Sequence, residues 1–215
     1  MAIKKRDIFE ELKLSIMQGI FKPRERLMER SLAAQFNTSR TPIREALRRL
    51  ESLGFLRLIP NQGATVNDFS LEDIEALYQV RIPNEKLAAR LTCARITLEE
   101  IKKLSAINQQ FIQAVQANDF LSMIAKDQEF HLTLIGFCGN PFLIKIAEDL
   151  RLRSYQFTFY FWKEKKYSQN SALMHKKILK ALRDHDMGQI ESLIESHLTR
   201  SKDRYLKYLS QIQGA

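Results

Sequence analysis

The chain has 215 residues and a formal net charge of +9, from 34 Lys and Arg against 25 Asp and Glu. Residues 1–69 hold 13 of the basic and 8 of the acidic residues, so this third of the chain carries +5 of the surplus. The length allows one or two domains with their own cores. No apolar run is long enough to span a membrane, and two distant cysteines argue against a disulfide scaffold and favour a cytoplasmic protein.

The segment 37–50 has the pattern of a helix that binds DNA. If a helix begins near Ser39, three apolar residues share one face: Ile43, Leu47 and Leu50. Three arginines, four residues apart, share another: Arg40, Arg44 and Arg48. Such a helix suits a DNA major groove, because its first N–H groups bind phosphate while arginine reaches guanine edges. From this helix alone, a solvated basic helix is an equally good interpretation.

The flanking residues predict a winged helix-turn-helix. Residues Glu29–Phe36 indicate a short supporting helix, and Asn37 tolerates the left-handed backbone of a tight turn. Gly54 ends the second helix, and two short strands follow it: Leu56–Ile59 and Ala64–Val66. A hairpin in that position is a wing, whose tip at Gly63 would approach the DNA.

Residues 19–66 resemble the winged-helix domain of the GntR superfamily of bacterial transcription regulators. The resemblance rests on Ser-Arg-Thr-Pro-x-Arg-Glu-Ala-Leu at 39–47, on Glu29 with Leu32-Ala33, and on Gly63 with Val66. The sequence departs from the family at Arg24, where glycine is usual. The resemblance implies that six residues contact DNA: Arg30, Ser39, Arg40, Thr41, Arg44 and Gly63.

Residues 70–215 have the pattern of an all-α domain of about six helices. Residues suited to N-caps, each followed by acids, begin helices at Ser70 and Thr97. The expected helices are 70 to beyond 91, 97–118, 120–137, one after 141, about 169–185 and about 187–212. The aromatic alternation in 151–162 favours a strand locally, but no other segment offers a strand partner, so we expect a helix.

The four histidines all follow residue 130. Asp127 and His131 are four residues apart and point to the same side of one helix, whereas His175 and His197 belong to the last two helices. His185 falls off the His175 face and is expected at the surface. Three imidazoles and a carboxylate would suit Zn²⁺, Ni²⁺ or Mn²⁺. On spacing alone, histidines scattered through a helical bundle are the simpler interpretation.

This region also resembles the C-terminal effector domain of the FadR branch of that superfamily. The matching residues are Asp127-x-x-Phe130-His131, Gly139-Asn140-Pro141, His175, His197, and Arg81 with Glu85. The resemblance implies that a divalent metal, Zn²⁺ before Ni²⁺ or Mn²⁺, is bound by four residues: Asp127, His131, His175 and His197. Arg81 is the candidate effector-binding residue, and a surface ion pair with Glu85 is the alternative.

The sequence therefore predicts a homodimeric transcription regulator, expected to repress from an inverted-repeat DNA operator. A small carboxylate effector at the metal would control its affinity for DNA. The alternative is a metal-dependent enzyme, since a His₃-Asp metal can activate water. Against an enzyme, no further acid, base or nucleophile stands beside the four residues in the sequence. A constitutive nucleoid-type protein would explain the charge but not the metal pocket.

Overall fold

The computed structural model describes residues 7–60, 62–68, 70–154 and 165–213. The chain divides into two compact units, Met1–Phe69 and Ser70–Ala215. It is mainly helical, with a small antiparallel sheet in the first unit and helices alone in the described part of the second, which confirms the predicted fold class. No helix in the described ranges is long and apolar enough to cross a membrane.

The first unit is a winged helix-turn-helix. Its helices are α1 (Ile8–Met17), α2 (Glu29–Gln35) and α3 (Arg40–Ser52). Its strands are β1 (Arg26–Leu27), β2 (Leu56–Ile59) and β3 (Gly63–Val66), in the sheet order β1-β3-β2. Strand β1 was not predicted from the sequence, because a strand of two residues is too short to show an alternating pattern.

The apolar face of α3 holds this unit together. Ile43, Leu47 and Leu50 are fully buried, as their spacing predicted. Between α2 and α3, Asn37 has a φ of 49°, the left-handed conformation expected for the turn. The arginines of α3 stay exposed because their positions fall outside this buried face.

Arg24 also adopts a left-handed backbone, with a φ of 66°. Its N–H donates to the Val66 carbonyl at 3.0 Å, and its Nε lies 2.6 Å from the Asp68 carboxylate. The turn therefore has a conformation that glycine adopts without strain, even though arginine stands there. The backbone hydrogen bond to Val66 holds this turn, whereas the ion pair adds little because the Arg24 side chain is 81% exposed.

The second unit consists of helices in the described ranges. They are α4 (Leu71–Arg95), α5 (Leu98–Ala117), α6 (Phe120–Gly136), α7 (Pro141–Ser154), α8 (Lys165–Arg183) and α9 (Met187–Gln213). Ser70 and Thr97 form capping boxes with Asp73 and Glu100, as their sequence context indicated. Of the segment 151–162, residues 151–154 end α7, and the rest lies outside the described residues.

The core of the second unit lies where α4 packs against α9 and α5 packs against α6 and α8. Ile74, Leu104, Ile178 and Ile194 are among its fully buried members. His185, just after α8, is exposed as expected, and its Nδ1 lies 2.7 Å from the Cys93 carbonyl oxygen. Both helices of each of these pairs thus bury apolar side chains between them, and polar groups collect in other parts of the unit.

Replacing Gly63 by alanine should destabilise the winged unit. At its φ of 91° an added Cβ would lie 2.2 Å from the Leu27 carbonyl oxygen, so β3 could not stay paired with β1 unchanged. We expect a loss of about 2 kcal/mol in the free energy of unfolding, measured by urea denaturation. Gly136→Ala is the control, because a Cβ there meets no atom within 4 Å. Equal stability of the two variants would contradict this account.

Candidate nucleic-acid interface and candidate metal centre

A basic groove in the first unit runs between α2, α3 and the β2–β3 hairpin. Its polar lining comprises Glu29, Arg30, Arg40, Arg44, Arg48 and Gln62, with Gly63 at the wing. Glu29 is the one acidic residue among the described residues of this lining. Exposed arginines along one helix face can contact both the phosphates and the base edges of a duplex.

Four of the six predicted DNA-contacting residues line this groove: Arg30, Arg40, Arg44 and Gly63. Ser39 and Thr41 are exposed at the start of α3 but are not part of the lining. Arg48 lines the groove although it was not among the predicted contacts. Its signal was already present in the sequence, as the third arginine of the four-residue repeat.

Arg44 is held by Glu29 in a two-point ion pair. Arg44 Nε donates to Glu29 Oε1 at 2.8 Å, and Arg44 Nη2 donates to Glu29 Oε2 at 2.7 Å. The hydrogen bond from Arg44, together with the charges of Arg40 and Arg48, lowers the pKa of Glu29. The carboxylate is therefore ionised in the presence of the arginines around it.

The second unit brings Asp127, His131, His175 and His197 together from α6, α8 and α9. One ligand atom from each lies within 4.8 Å of all the others. His131 Nε2 is 3.1 Å from His197 Nε2 and 3.2 Å from His175 Nε2. Asp127 Oδ1 is 3.3 Å from His175 Nε2 and 3.8 Å from His131 Nε2.

This arrangement fits a divalent metal ion. An ion at about 2.0–2.1 Å from each ligand separates neighbouring ligand atoms by about 2.9 Å at right angles and about 3.4 Å in a tetrahedron. Three of the separations lie between 3.1 and 3.3 Å and fall in that range, whereas Asp127 Oδ1 is 3.8 Å from His131 Nε2 and no pair of ligand atoms exceeds 4.8 Å. Three imidazole nitrogens and one carboxylate oxygen suit Zn²⁺, and also Ni²⁺ or Mn²⁺.

Asn108 on α5 orients one of these imidazoles. Its Oδ1 lies 3.1 Å from His175 Nδ1, so a proton on Nδ1 leaves the Nε2 lone pair facing the cluster. Phe130 stacks on the His175 ring, with 4.2 Å between centroids. Asn108 was not predicted from the sequence, since it lies 67 residues from His175 and no local spacing connects them.

The surroundings keep His131 and His197 neutral and Asp127 ionised. Burial, followed by the charge of Arg151, lowers the pKa of His131 well below its usual range. Burial, followed by the nearby His175, lowers the pKa of His197 to about 3. Burial raises the pKa of Asp127, but its hydrogen bond and charge interaction with His175 outweigh that and lower it overall. These are the protonation states that metal ligands require.

A buried charge network adjoins the cluster. Glu85 Oε1 accepts from Arg81 Nε at 2.6 Å, and Glu85 Oε2 accepts from Arg151 Nη1 at 2.9 Å. Arg81 Nη1 also donates to the Tyr78 hydroxyl and to Ser154 Oγ. The ion pair between Arg81 and Glu85, which the sequence left open as an alternative, thus forms. It is buried rather than at the surface, because the residues are only 5% and 2% exposed.

Arg151 is a site residue that was not predicted from the sequence. Its Nη2 lies 3.7 Å from Asp127 Oδ2, so it connects Glu85 to the cluster. Its buried Nε has no hydrogen-bond partner among the described residues, and neither has the buried Oε1 of Gln128. Both residues line one cavity together with Arg81, Asp127, His131 and His197. The cavity therefore presents an unused donor and an unused acceptor beside the four candidate ligands.

A winged helix with a basic groove, joined to a helical unit with a buried polar cavity, defines a two-domain DNA-binding regulator. The chain belongs to the gntR family of bacterial regulatory proteins, whose family model matches residues 4–66. Residues 76–200 match the model of the FCD domain. The family assignment made from the sequence motifs is confirmed.

Relatives of this chain are transcription regulators. It is 31% identical to the Nta operon transcriptional regulator of Aminobacter aminovorans, over 88% of each chain. It is also 31% identical to the gluconate operon transcriptional repressor of Bacillus licheniformis, over 66% of this chain and 58% of that protein. The solved structure of Escherichia coli McbR/YncC has the same fold, with a TM-score of 0.76 and 23% identity, covering 97% of this chain and 100% of that one.

Glu85→Gln should strongly destabilise the helical unit. The substitution leaves two buried guanidinium groups without their shared counter-charge, and we expect a loss of about 3–5 kcal/mol in the free energy of unfolding. Asp149→Asn is the matched control, because it breaks an exposed ion pair with Arg153 on α7, worth at most about 1 kcal/mol. Urea denaturation compares the two. A loss in Glu85→Gln no larger than in the control would contradict the role of this network.

Proposed function

We propose that this protein is a cytoplasmic, homodimeric repressor whose affinity for operator DNA is controlled by a small carboxylate bound at a metal site. The observation that carries the proposal is the buried Asp127–His131–His175–His197 cluster, with Arg151 beside it, in a chain that also has a DNA-binding fold. The gluconate operon relative is named as a repressor, which supports the direction of regulation.

In the proposed complex, six residues contact the operator: Arg30, Ser39, Arg40, Thr41, Arg44 and Gly63. A two-fold dimer would place two copies of α3 in successive major-groove segments of an inverted repeat. Exposed apolar residues on the adjacent helices α4 and α7 support such a dimer: Val80, Leu87, Phe142 and Ile146. Exposed apolar side chains grouped on neighbouring helices are typical of a surface that associates with another protein.

The proposed metal is Zn²⁺, with Ni²⁺ or Mn²⁺ as alternatives, held by Asp127, His131, His175 and His197. When bound, it supplies a Lewis-acid centre for a carboxylate oxygen of the effector. Arg151, with its unused Nε–H, is the proposed partner of the carboxylate. Arg81 would assist Arg151 in binding the carboxylate, since its own Nε and Nη1 already donate hydrogen bonds to Glu85, Tyr78 and Ser154.

The Oε1 atom of Gln128 is an unused hydrogen-bond acceptor, so the proposed effector carries a donor as well as a carboxylate. We propose that this donor is a hydroxyl group. Leaving a buried acceptor unpaired disfavours a ligand that lacks a donor. Gluconate, after which the operon of one relative is named, is an acid of this kind.

The effect of the bound acid on DNA affinity would pass through Glu85. This partner of Arg151 lies on α4, the helix that follows the winged unit in the chain.

The purified protein should carry about one divalent ion per chain. His175→Ala should lose it, whereas Asn108→Ala should keep the site but bind the ion about 10–100-fold more weakly, because His175 is no longer oriented. Elemental analysis and competition with a chelator measure both. His185→Ala, an exposed histidine outside the cluster, is the control and should match wild type. A wild-type protein that neither carries nor takes up Zn²⁺ or Ni²⁺ would remove the metal from the proposal.

Hydroxy acids should stabilise the metal-loaded protein more than their deoxy counterparts. Glycolate against acetate and malate against succinate are suitable pairs, and a ligand that binds the folded state raises the melting temperature. Gln128→Met should reduce the preference for the hydroxyl while binding of the deoxy acid is unchanged. The acids that bind should also weaken DNA binding, and DNA should weaken their binding by the same factor. Acids that bind without altering DNA affinity would contradict the regulatory switch.

A further inference from the structure

Glu29 is an acidic residue in a basic groove, where its charge opposes DNA binding. Glu29 is 23% exposed at its side chain and lies among arginines, where a negative charge repels the phosphates of any DNA. It therefore lowers the affinity for DNA in general. As a link between α2 and α3 its pair with Arg44 contributes little, because exposed ion pairs add little to stability.

The two-point contact decides which donors of Arg44 stay available. An arginine side chain has five N–H groups, and Glu29 takes the one on Nε and one on Nη2. The remaining three belong to Nη1 and Nη2, which form the outer edge of the guanidinium. That edge is the one that pairs with O6 and N7 of a guanine in the major groove.

We propose that Glu29 determines the sequence specificity of the groove by fixing Arg44 for one base pair in each half-site. This inference rests on the DNA-binding function. Held by Glu29, the Arg44 guanidinium has its charge balanced and its orientation set, so it contributes to base reading more than to phosphate binding. Without Glu29, the same side chain is a mobile cation that binds phosphates next to any sequence.

The test compares selective with general binding in the full-length, metal-loaded protein. Wild type first selects its preferred site from a duplex library with a randomised central segment. Wild type and Glu29→Gln are then titrated with that selected duplex and with a mixed-sequence duplex. The ratio of the two affinities should fall about tenfold to a hundredfold in Glu29→Gln. Because it is a ratio, it does not depend on the fraction of active protein.

Two matched variants separate the role of Glu29 from a loss of charge. Glu45→Gln removes the same charge from an exposed position next to Arg44 on α3, outside the groove lining, and should leave the ratio at its wild-type value. Arg44→Lys cannot make the two-point contact, so adding Glu29→Gln to it should lower the ratio no further. Selection repeated with Glu29→Gln should lose its preference at one base pair per half-site.

An unchanged ratio in Glu29→Gln would overturn the proposal, as would an equal fall in Glu45→Gln. A higher ratio would show that Glu29 restrains Arg44 from base reading, which is the opposite role. If wild type selects no site at all, the DNA-binding function fails first, and the proposed role of Glu29 fails with it. Independent effects of Glu29→Gln and Arg44→Lys on the ratio would show that Glu29 does not act through Arg44.

Discussion

The helical unit depends on one buried carboxylate, that of Glu85, placed between two buried guanidinium groups. Burial alone raises the pKa of Glu85, but the charges of Arg151 and Arg81 and their hydrogen bonds outweigh it, so the group is ionised. Such a group cannot leave its partners without leaving charge unpaired in a region of low dielectric. This constraint fixes α4 against α7 and places Arg151 beside Asp127. The candidate metal centre therefore adjoins a charge network whose rearrangement would cost free energy.

The two sites in this chain use charge in opposite settings. In the helical unit the charged and neutral polar groups are buried, so each hydrogen bond is strong. A polar atom without a partner among the described residues, such as Arg151 Nε, is therefore costly. In the winged unit the arginines are exposed, and water and salt weaken their interactions. Selectivity there needs fixed geometry, which the two-point contact between Glu29 and Arg44 provides. Burial strengthens the hydrogen bonds of the helical unit, whereas the fixed orientation of Arg44 gives the groove of the winged unit its selectivity.

Features with a local cause were predictable from the sequence. The apolar face of α3 follows from helical periodicity, and the turn at Asn37 follows from a side chain that tolerates positive φ. The capping boxes at Ser70 and Thr97 follow from residues three positions apart. The gathering of the histidines did not follow from spacing, which favoured scattered positions. The family motifs supplied that expectation, and the structure brings the four residues within reach of one ion.

The sequence by itself determined the fold class, the winged helix-turn-helix and the pairing of Asp127 with His131 on one helix face, because these depend on residues close together in the chain. Tertiary structure decided the rest. Strand β1 exists because β3 offers it a partner across the sheet, and Asn108 reaches His175 from a different helix. Arg151 becomes a site residue because α7 packs against α4. Such contacts join residues far apart in sequence, and no local period or spacing encodes which distant group will lie opposite.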